Sequence, residues 1–426
     1  MKICIIGAGP SGLTTLKTLL ENGFKDIVVY EKNDDIGGNW YLSENNNHSS
    51  AYETLNIITS KKMSSFSDFP MPDNYPDYPP HWLVLEYFKN YAKNFNLYDY
   101  IRFNSEVIKV RRISDYNYEI VLKDGKVENY NVVIVCNGHH WDPYIPKFEG
   151  EFKGEIIHSH YYKNPNPFKG KKVLIVGAGN SACDIAVDIC RINKNTAISI
   201  RRGYYFIPKF ALFGIPSDYF HSKIQFLPKN IRKLLIKSLL KVIVGDLSKY
   251  GMPKPDHDLF QTHPIVNSEL VYYIKHGRIK IRPEIFKLDG YSVIFKNGIS
   301  EEYEIIILAT GYKISFPFFD ENFKKTFLDG YKVKLFLNIF HPNFRDIFFV
   351  GLIQPDGCLW VLSELQAKLI SKFLKGDYKL PNNILEVIES QIKEQFKKYL
   401  NTPRHSIEVD FYKYKQKIMK LISSKN

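Results

Sequence analysis

The chain has 426 residues, of which 44% are hydrophobic and 24% charged, with a formal net charge of +13. Such a length carries two or three domains with full-sized cores, and the composition excludes disordered, collagenous and disulfide-framework classes. The cationic excess is spread along the sequence without a basic block, which suits anionic small molecules and leaves nucleic acid the weaker alternative. Five cysteines, Cys4, Cys136, Cys183, Cys190 and Cys358, form no C-x-x-C pair. Neither a disulfide framework nor a metal site is indicated, and a reducing cytoplasmic setting is expected. No apolar run reaches bilayer length. The first residues already read as a core strand, so no signal peptide is expected.

The apolar run Lys2-Ile3-Cys4-Ile5-Ile6 leads into Gly7-Ala8-Gly9-Pro10-Ser11-Gly12, a G-x-G-x-x-G, and Thr14 to Leu20 reads as helix. A second apolar run, Ile27-Val28-Val29-Tyr30, ends on Glu31. Strand, glycine turn, helix, strand and terminal acid in this order form a dinucleotide fingerprint. Gly7 permits the tight turn, Gly9 a close approach to pyrophosphate, and Gly12 close helix–strand packing. The helix N-terminus faces phosphate, and Glu31 accepts from a ribose hydroxyl.

Gly37-Gly38-Asn39-Trp40 follows in a turn-rich loop, then a Pro- and Tyr-rich loop from Asp73 to Pro80. Leu83 to Phe95 has helical apolar spacing. Glu106 to Val110 and Asn117 to Leu122 alternate with period two and predict a small antiparallel sheet. Val132-Val133-Ile134-Val135 reads as a buried strand. After a linker from about Trp141 to Gly170 the pattern restarts. Val173-Leu174-Ile175-Val176 leads into Gly177-Ala178-Gly179-Asn180-Ser181-Ala182, a G-x-G-x-x-A, and Ala197 to Ile200 supplies the next strand. Arginines, Arg201 and Arg202, stand where the first unit has its acid. Arginine there pairs with a 2′-phosphate, so the second site is expected to hold NADPH; surface arginines closing a strand are the alternative. Residues 204–263 are aromatic and irregular, with a basic apolar helix from about Ile231 to Val244. A place on a membrane surface is open to that helix, and packing on its own domain is the preferred reading.

The expected fold is therefore α/β, with two Rossmann-like dinucleotide-binding domains and the NADP domain inserted into the FAD domain. Residues 1–165 and 281–426 are assigned to the FAD-binding domain, and 166–280, with its irregular insertion, to the NADP-binding domain. Two dinucleotide sites in one chain suggest hydride transfer from a nicotinamide to a flavin. Cys183 and Cys190 lie about two turns apart on one predicted helix, which disfavours a disulfide reductase.

Further motifs resemble the flavin-containing monooxygenase family over essentially the whole chain. Phe152, Gly154, His158 and Tyr162 are similar to its F-x-G-x-x-x-H-x-x-x-[Y/F] pattern. Tyr162 lies on the heteroatom-oxidising side of that pattern, where Baeyer–Villiger relatives usually carry Trp or Pro. Gly37-Gly38-Asn39-Trp40, Ser67-Asp68-Phe69-Pro70-Met71-Pro72, Ala309-Thr310-Gly311-Tyr312 and Gln366-Ala367 resemble further family blocks. The residues assigned to FAD are Gly7, Gly9, Pro10, Ser11, Gly12, Glu31, Gly38, Trp40, Thr59, Val107 and Gln366. Those assigned to NADP are Gly177, Gly179, Asn180, Ser181, Arg201 and Arg202. No metal ligand and no catalytic residue is assigned. His158 reads first as a linker anchor and second as a proton donor. One position departs from the family: Ile58 stands where many members carry an asparagine, and Asn56 lies two residues earlier.

The resemblance implies a monooxygenase that uses NADPH, FAD and O₂ and acts through a C4a-hydroperoxyflavin on a soft nitrogen or sulfur nucleophile. A Baeyer–Villiger oxygenase, an uncoupled NADPH oxidase and a non-enzymatic flavoprotein are the alternatives. A small-molecule substrate is expected, with no nucleic acid and no membrane span, and a homodimer is left open.

Overall fold

The structure, a computed structural model, describes residues 1–43 and 47–424. In chain order the strands that carry the architecture are β1 (Ile3–Ile6), β2 (Ile27–Tyr30), β3 (Ile101–Arg102), β4 (Val132–Val135), β5 (Glu155–His158), β6 (Val173–Val176), β7 (Thr196–Ser199), β8 (Ile279–Arg282), β9 (Ile305–Leu308) and β10 (Ile347–Phe349). The helices used below are α1 (Pro10–Glu21), α2 (Asn180–Ile192), α3 (Lys229–Ile243), α4 (Leu359–Leu374) and α5 (Phe411–Ser423).

The chain divides into two compact units. The first contains residues 1–49, 61–142 and 313–426. Its centre is a parallel sheet in the order β10-β4-β1-β2-β3. Every residue of β1 and β4 is buried, as expected of parallel strands covered on both faces, and this is why they read as unbroken apolar runs. Pro10 at the first helical position starts α1, and Gly23 at φ +90° ends it, with Phe24 N–H donating to Leu19 O. α1 packs on α4, and α4 packs on α5. The antiparallel sheet expected after residue 106 forms from Val107–Ser114 and Asn117–Leu122, and gains a third strand, Val127–Tyr130.

The second unit contains residues 50–60 and 143–312. Its parallel sheet runs β5-β9-β6-β7-β8, again with a fingerprint strand in the middle. α2 buries Ala182, Ile185, Ala186 and Ile189 against it. Residues 143–165 and 281–312, assigned from the sequence to the first domain, cluster here instead. The cause is strand pairing: Glu155 to His158 of β5 pair in register with Ile305 to Leu308 of β9. Glu149–Phe152 pairs likewise with Ile285–Gly290.

Within residues 204–263, α3 turns Ile236 and Leu240 inward onto Leu259. Its Ile231, Leu234, Leu235 and Val242 are exposed. The helix thus packs on its own unit along one stripe and shows a second apolar stripe to solvent.

Candidate dinucleotide sites

The turn after β1 is fixed by contact as much as by conformation. Gly7 has φ +103°, and a Cβ there would lie 2.7 Å from Cys136 O; a Cβ on Gly12 would lie 1.9 Å from Gly7 O. Only glycine fits either place. α1 has Gly9 as N-cap and no side chain satisfying its first amides, so these N–H groups are open to an anion. Gly38 sits directly over this turn: Gly37 N–H donates to Ala8 O at 3.1 Å, and a Cβ on Gly38 would lie 3.1 Å from Gly9 Cα. Trp40 continues the loop and meets Trp360 edge to face at 5.7 Å.

Glu31 closes the same turn from the end of β2. It is buried, and its carboxylate accepts from Ala8 N–H at 2.8 Å, Asn33 N–H at 2.9 Å and the Asn33 side-chain amide at 2.8 Å. A carboxylate offers about four lone-pair sites, so one acceptor position remains for a ribose hydroxyl. Burial pushes the Glu31 carboxyl above its ordinary value, and the N–H donors oppose that shift. Ser105 N–H donates to Glu31 O at 2.8 Å, which brings the start of the 107–114 strand, with buried Val107, beside the acid.

Gly7, Gly9, Pro10, Ser11, Gly12, Glu31 and Gly38 are thus gathered at one turn, with Trp40 and Val107 on adjoining segments. The Ser11 hydroxyl bonds to the Ser363 hydroxyl at 2.9 Å, so its amide rather than its side chain is open to a ligand. Gln366 is fully buried, accepting from Gly351 N–H at 2.8 Å and donating to the Tyr414 hydroxyl at 2.7 Å. Its side chain holds the loop after β10. Thr59 lies in the other unit, within residues 50–60.

The second turn repeats the plan with different chemistry. Gly177 has φ +132°, Gly179 is the N-cap of α2 without a side-chain cap, and Ala182 is completely buried at the third position. Asn180 does not present its side chain to the turn: its Oδ1 accepts from Val266 N–H at 2.7 Å and its Nδ2 donates to Pro264 O at 3.2 Å. Ser181 is exposed beside it. After β7, Arg202 Nε pairs with Asp256 at 2.9 Å. Arg201 is exposed and makes no hydrogen bond or ion pair among the described residues. The two arginines are therefore unlike: one is braced, the other open.

The linker motif acquires a physical account. A Cβ on Gly154 would lie 2.4 Å from Glu304 O and 2.6 Å from the Phe152 ring, so Phe152 can fold over the chain only where no side chain intervenes. His158 is buried; its Nδ1 accepts from His160 N–H at 3.1 Å. Its Nε2 therefore carries the proton and donates to Gly311 O at 3.0 Å, joining the linker to the A-T-G-Y turn. Burial lowers its pKa to about 4, so the ring is neutral near neutral pH and acts as an anchor. Tyr162 donates to Asp188 at 2.6 Å.

Three anchors escaped the sequence reading. Asp188 also accepts from Thr54 at 2.9 Å, Asp184 accepts from Tyr52 at 2.8 Å, and Asp218 accepts from Ser60 N–H at 2.6 Å. They fasten residues 50–60, which include Ile58, to the second unit. The visible signal was a pair of acids four apart among apolar residues of α2, since carboxylates are rarely buried without partners.

Among the described residues no group of side chains has the makings of a metal site, and no helix is long and apolar enough to cross a membrane. Two Rossmann-type turns, one closed by an acid and one by arginines, define a flavoprotein fold that takes two dinucleotides. The sequence matches the family described as "Flavin-binding monooxygenase-like" over residues 1–426, and the chain belongs to it. It is 35% identical over 444 residues to flavin-containing monooxygenase 5 of Rattus norvegicus, covering 99% of this chain and 82% of that protein. It is 34% identical over 402 residues to dimethylaniline monooxygenase [N-oxide-forming] 2 of Pan troglodytes, covering 89% and 74%. The fold is like that of S-allyl-L-cysteine S-oxygenase from Allium sativum, with a TM-score of 0.74, 22% identity, and 100% and 89% of the two chains covered. The protein is accordingly a flavin-dependent monooxygenase that uses FAD, NADPH and O₂.

Proposed function

We propose that FAD is held at the Gly7–Gly12 turn and NADPH at the Gly177–Ala182 turn, and that the substrate is a small molecule with a soft nitrogen or sulfur nucleophile. The observation that carries the first part is the contrast in closing residues. Buried Glu31 keeps one acceptor site for a free ribose hydroxyl, and unpaired Arg201 suits a 2′-phosphate. Both turns fit the groups assigned to them, since each ends on a helix whose first amides lack a side-chain cap.

When bound, the two cofactors supply the hydride and the activation of O₂. The chain's own part is to bind and position. The Ser11 and Gly12 amides face a phosphate, and Gly38 keeps the approach to Gly9 clear. Gln366 acts through Gly351, holding the loop after β10. Arg202, braced by Asp256, adds positive charge beside the exposed Arg201. Neutral His158 holds Gly311 and moves no proton. No side chain is assigned as general base.

Tyr162 at the end of the linker motif and the N-oxide-forming relative support a heteroatom substrate over a ketone. The test is oxidation of a dialkylaniline, a thioether and a cyclic ketone by the purified holoenzyme under isotopically labelled O₂. An N-oxide or sulfoxide carrying one labelled atom, formed with NADPH consumption, is expected. Lactone formation alone, or peroxide release equal to the NADPH consumed with every substrate, overturns the assignment. Within the same assay, Ile58→Asn reports whether this departure from the family raises the share of NADPH lost to peroxide.

A further inference from the structure

The loop between β10 and α4 lies against the first glycine turn. Gly351 has φ +79°, and a Cβ on it would lie 2.4 Å from Ser11 Oγ. Its N–H donates to Gln366 Oε1 at 2.8 Å. A backbone N–H can only donate, which fixes the Gln366 amide: the oxygen faces Gly351, and the nitrogen donates to the Tyr414 hydroxyl oxygen at 2.7 Å. The Tyr414 proton is thereby directed to Leu337 O, at 2.5 Å. Burial raises the phenol above its ordinary value, so that proton stays in place. Gly351, Gln366, Tyr414 and Leu337 thus form one chain of hydrogen bonds whose donors all point the same way.

The far end of this chain is itself gripped. Leu337 and Asn338 have φ of 56° and 55°, rare for residues that carry a Cβ. Gln391 accepts from Leu337 N–H at 3.0 Å, while Tyr414 holds the Leu337 carbonyl. The segment that leads into α5 also holds the other end of the loop. Gln354 and Pro355 pair in parallel with Glu408 and Val409, and Phe411 N–H donates to Asp356 at 2.7 Å. A Cβ on Gly357 would lie 2.7 Å from the Phe411 ring. One side of the loop therefore meets Ser11, and the other is fastened to residues 408–414.

We propose that Tyr414 is a positioning residue for the flavin cofactor: through Gln366 it sets Gly351 against Ser11 and makes α5 a working part of the FAD site. This rests on the placement of FAD at the Gly7–Gly12 turn. Tyr414 touches no cofactor; it acts by fixing which way the Gln366 amide points.

The test measures FAD dissociation from the holoenzyme, as free flavin recovered by ultrafiltration after dilution, at a temperature below each variant's unfolding midpoint. Tyr414→Phe keeps the ring and removes the acceptor of the Gln366 nitrogen, so the dissociation constant should rise about fivefold. The visible circular dichroism of the bound flavin should change with it. Gln366→Leu should weaken FAD as well, and adding Tyr414→Phe to it should cost less than about a further twofold, because the two act through one chain. Tyr399→Phe is the control for a merely structural role. Tyr399 is another buried tyrosine of this region, its hydroxyl bonded to Lys398 at 2.8 Å, and its loss should leave FAD dissociation as it is. Native dissociation in Tyr414→Phe, an equal loss in Tyr399→Phe, or losses that multiply in full with Gln366→Leu would each overturn the proposal. Glu31→Gln, run in parallel, separates the two readings: if it weakens FAD and Tyr414→Phe does not, the relay alone falls, and if neither does, the placement of FAD falls with it.

Discussion

The two glycine turns of this protein share a plan and differ in what closes them. In the first, the acid that follows β2 is buried and already holds three N–H donors of its own unit. In the second, the arginine two residues beyond β7 is exposed and unengaged among the described residues, with its neighbour braced by Asp256. A buried, preorganised acceptor suits a cofactor that stays. An exposed cation with free rotamers suits one that enters and leaves, because its ordering can wait until the ligand arrives. The third position differs in the same sense. Gly12 is pressed against Gly7 O, while the equivalent turn accommodates Ala182.

The sharpest way to break the comparison is to exchange the third positions. Gly12→Ala places a Cβ where the Gly7 carbonyl stands, and the backbone of the turn must move. The expected outcome is colourless protein, read as loss of flavin absorbance after purification. Ala182→Gly opens no clash and costs about 0.5–1 kcal/mol of helix stability, with NADPH oxidation retained. If both variants stay yellow and active, the tightness of the first turn is not a requirement for FAD.

Glu31→Gln should act next most strongly. The amide nitrogen of glutamine would face N–H donors where a carboxylate now accepts, leaving a buried donor unsatisfied at about 1–3 kcal/mol. Fluorescence titration of the apoprotein is expected to show FAD affinity reduced about tenfold, the equivalent of the lower part of that range. Unchanged affinity would remove Glu31 from the site.

The smallest effect concerns the His158 anchor. Its folded pKa is lowered, so the unfolded chain takes up a proton at this position before the folded one does. Stability is therefore undiminished above the ordinary histidine range and falls as pH drops from there toward about 4. Thermal unfolding midpoints measured at neutral pH and in mild acid should diverge less in His158→Gln, whose amide can still donate to Gly311 O. An equal divergence in both proteins would assign the acid sensitivity elsewhere.

Much of this was legible in the sequence because parallel strands buried on both faces leave unbroken apolar runs, and glycine turns leave fixed spacings. β1, β6 and the helices after them needed no tertiary information. The placement of residues 143–165 and 281–312 did, since it follows from the pairing of β5 with β9, two strands about 150 residues apart in sequence. Strand partners at that distance leave no local signal. The roles of Asp184 and Asp188 were hidden for the same reason: their partners, Tyr52 and Thr54, come from a segment more than a hundred residues away. The outward stripe of α3 was visible as an amphipathic pattern, but which face turned inward was decided only by Leu259 and its neighbours.

The central claim, that the closing residue sets which dinucleotide each turn takes, is tested most directly by the nucleotide preference of the Arg201→Ala, Arg202→Ala double variant. Charge-assisted hydrogen bonds contribute about 1.5–3 kcal/mol each, so kcat/KM for NADPH should fall by about 10- to 100-fold while that for NADH changes little. Arg201→Ala alone should account for most of the loss, because Arg202 is already paired with Asp256. A preference for NADPH over NADH that survives both substitutions intact would contradict the account.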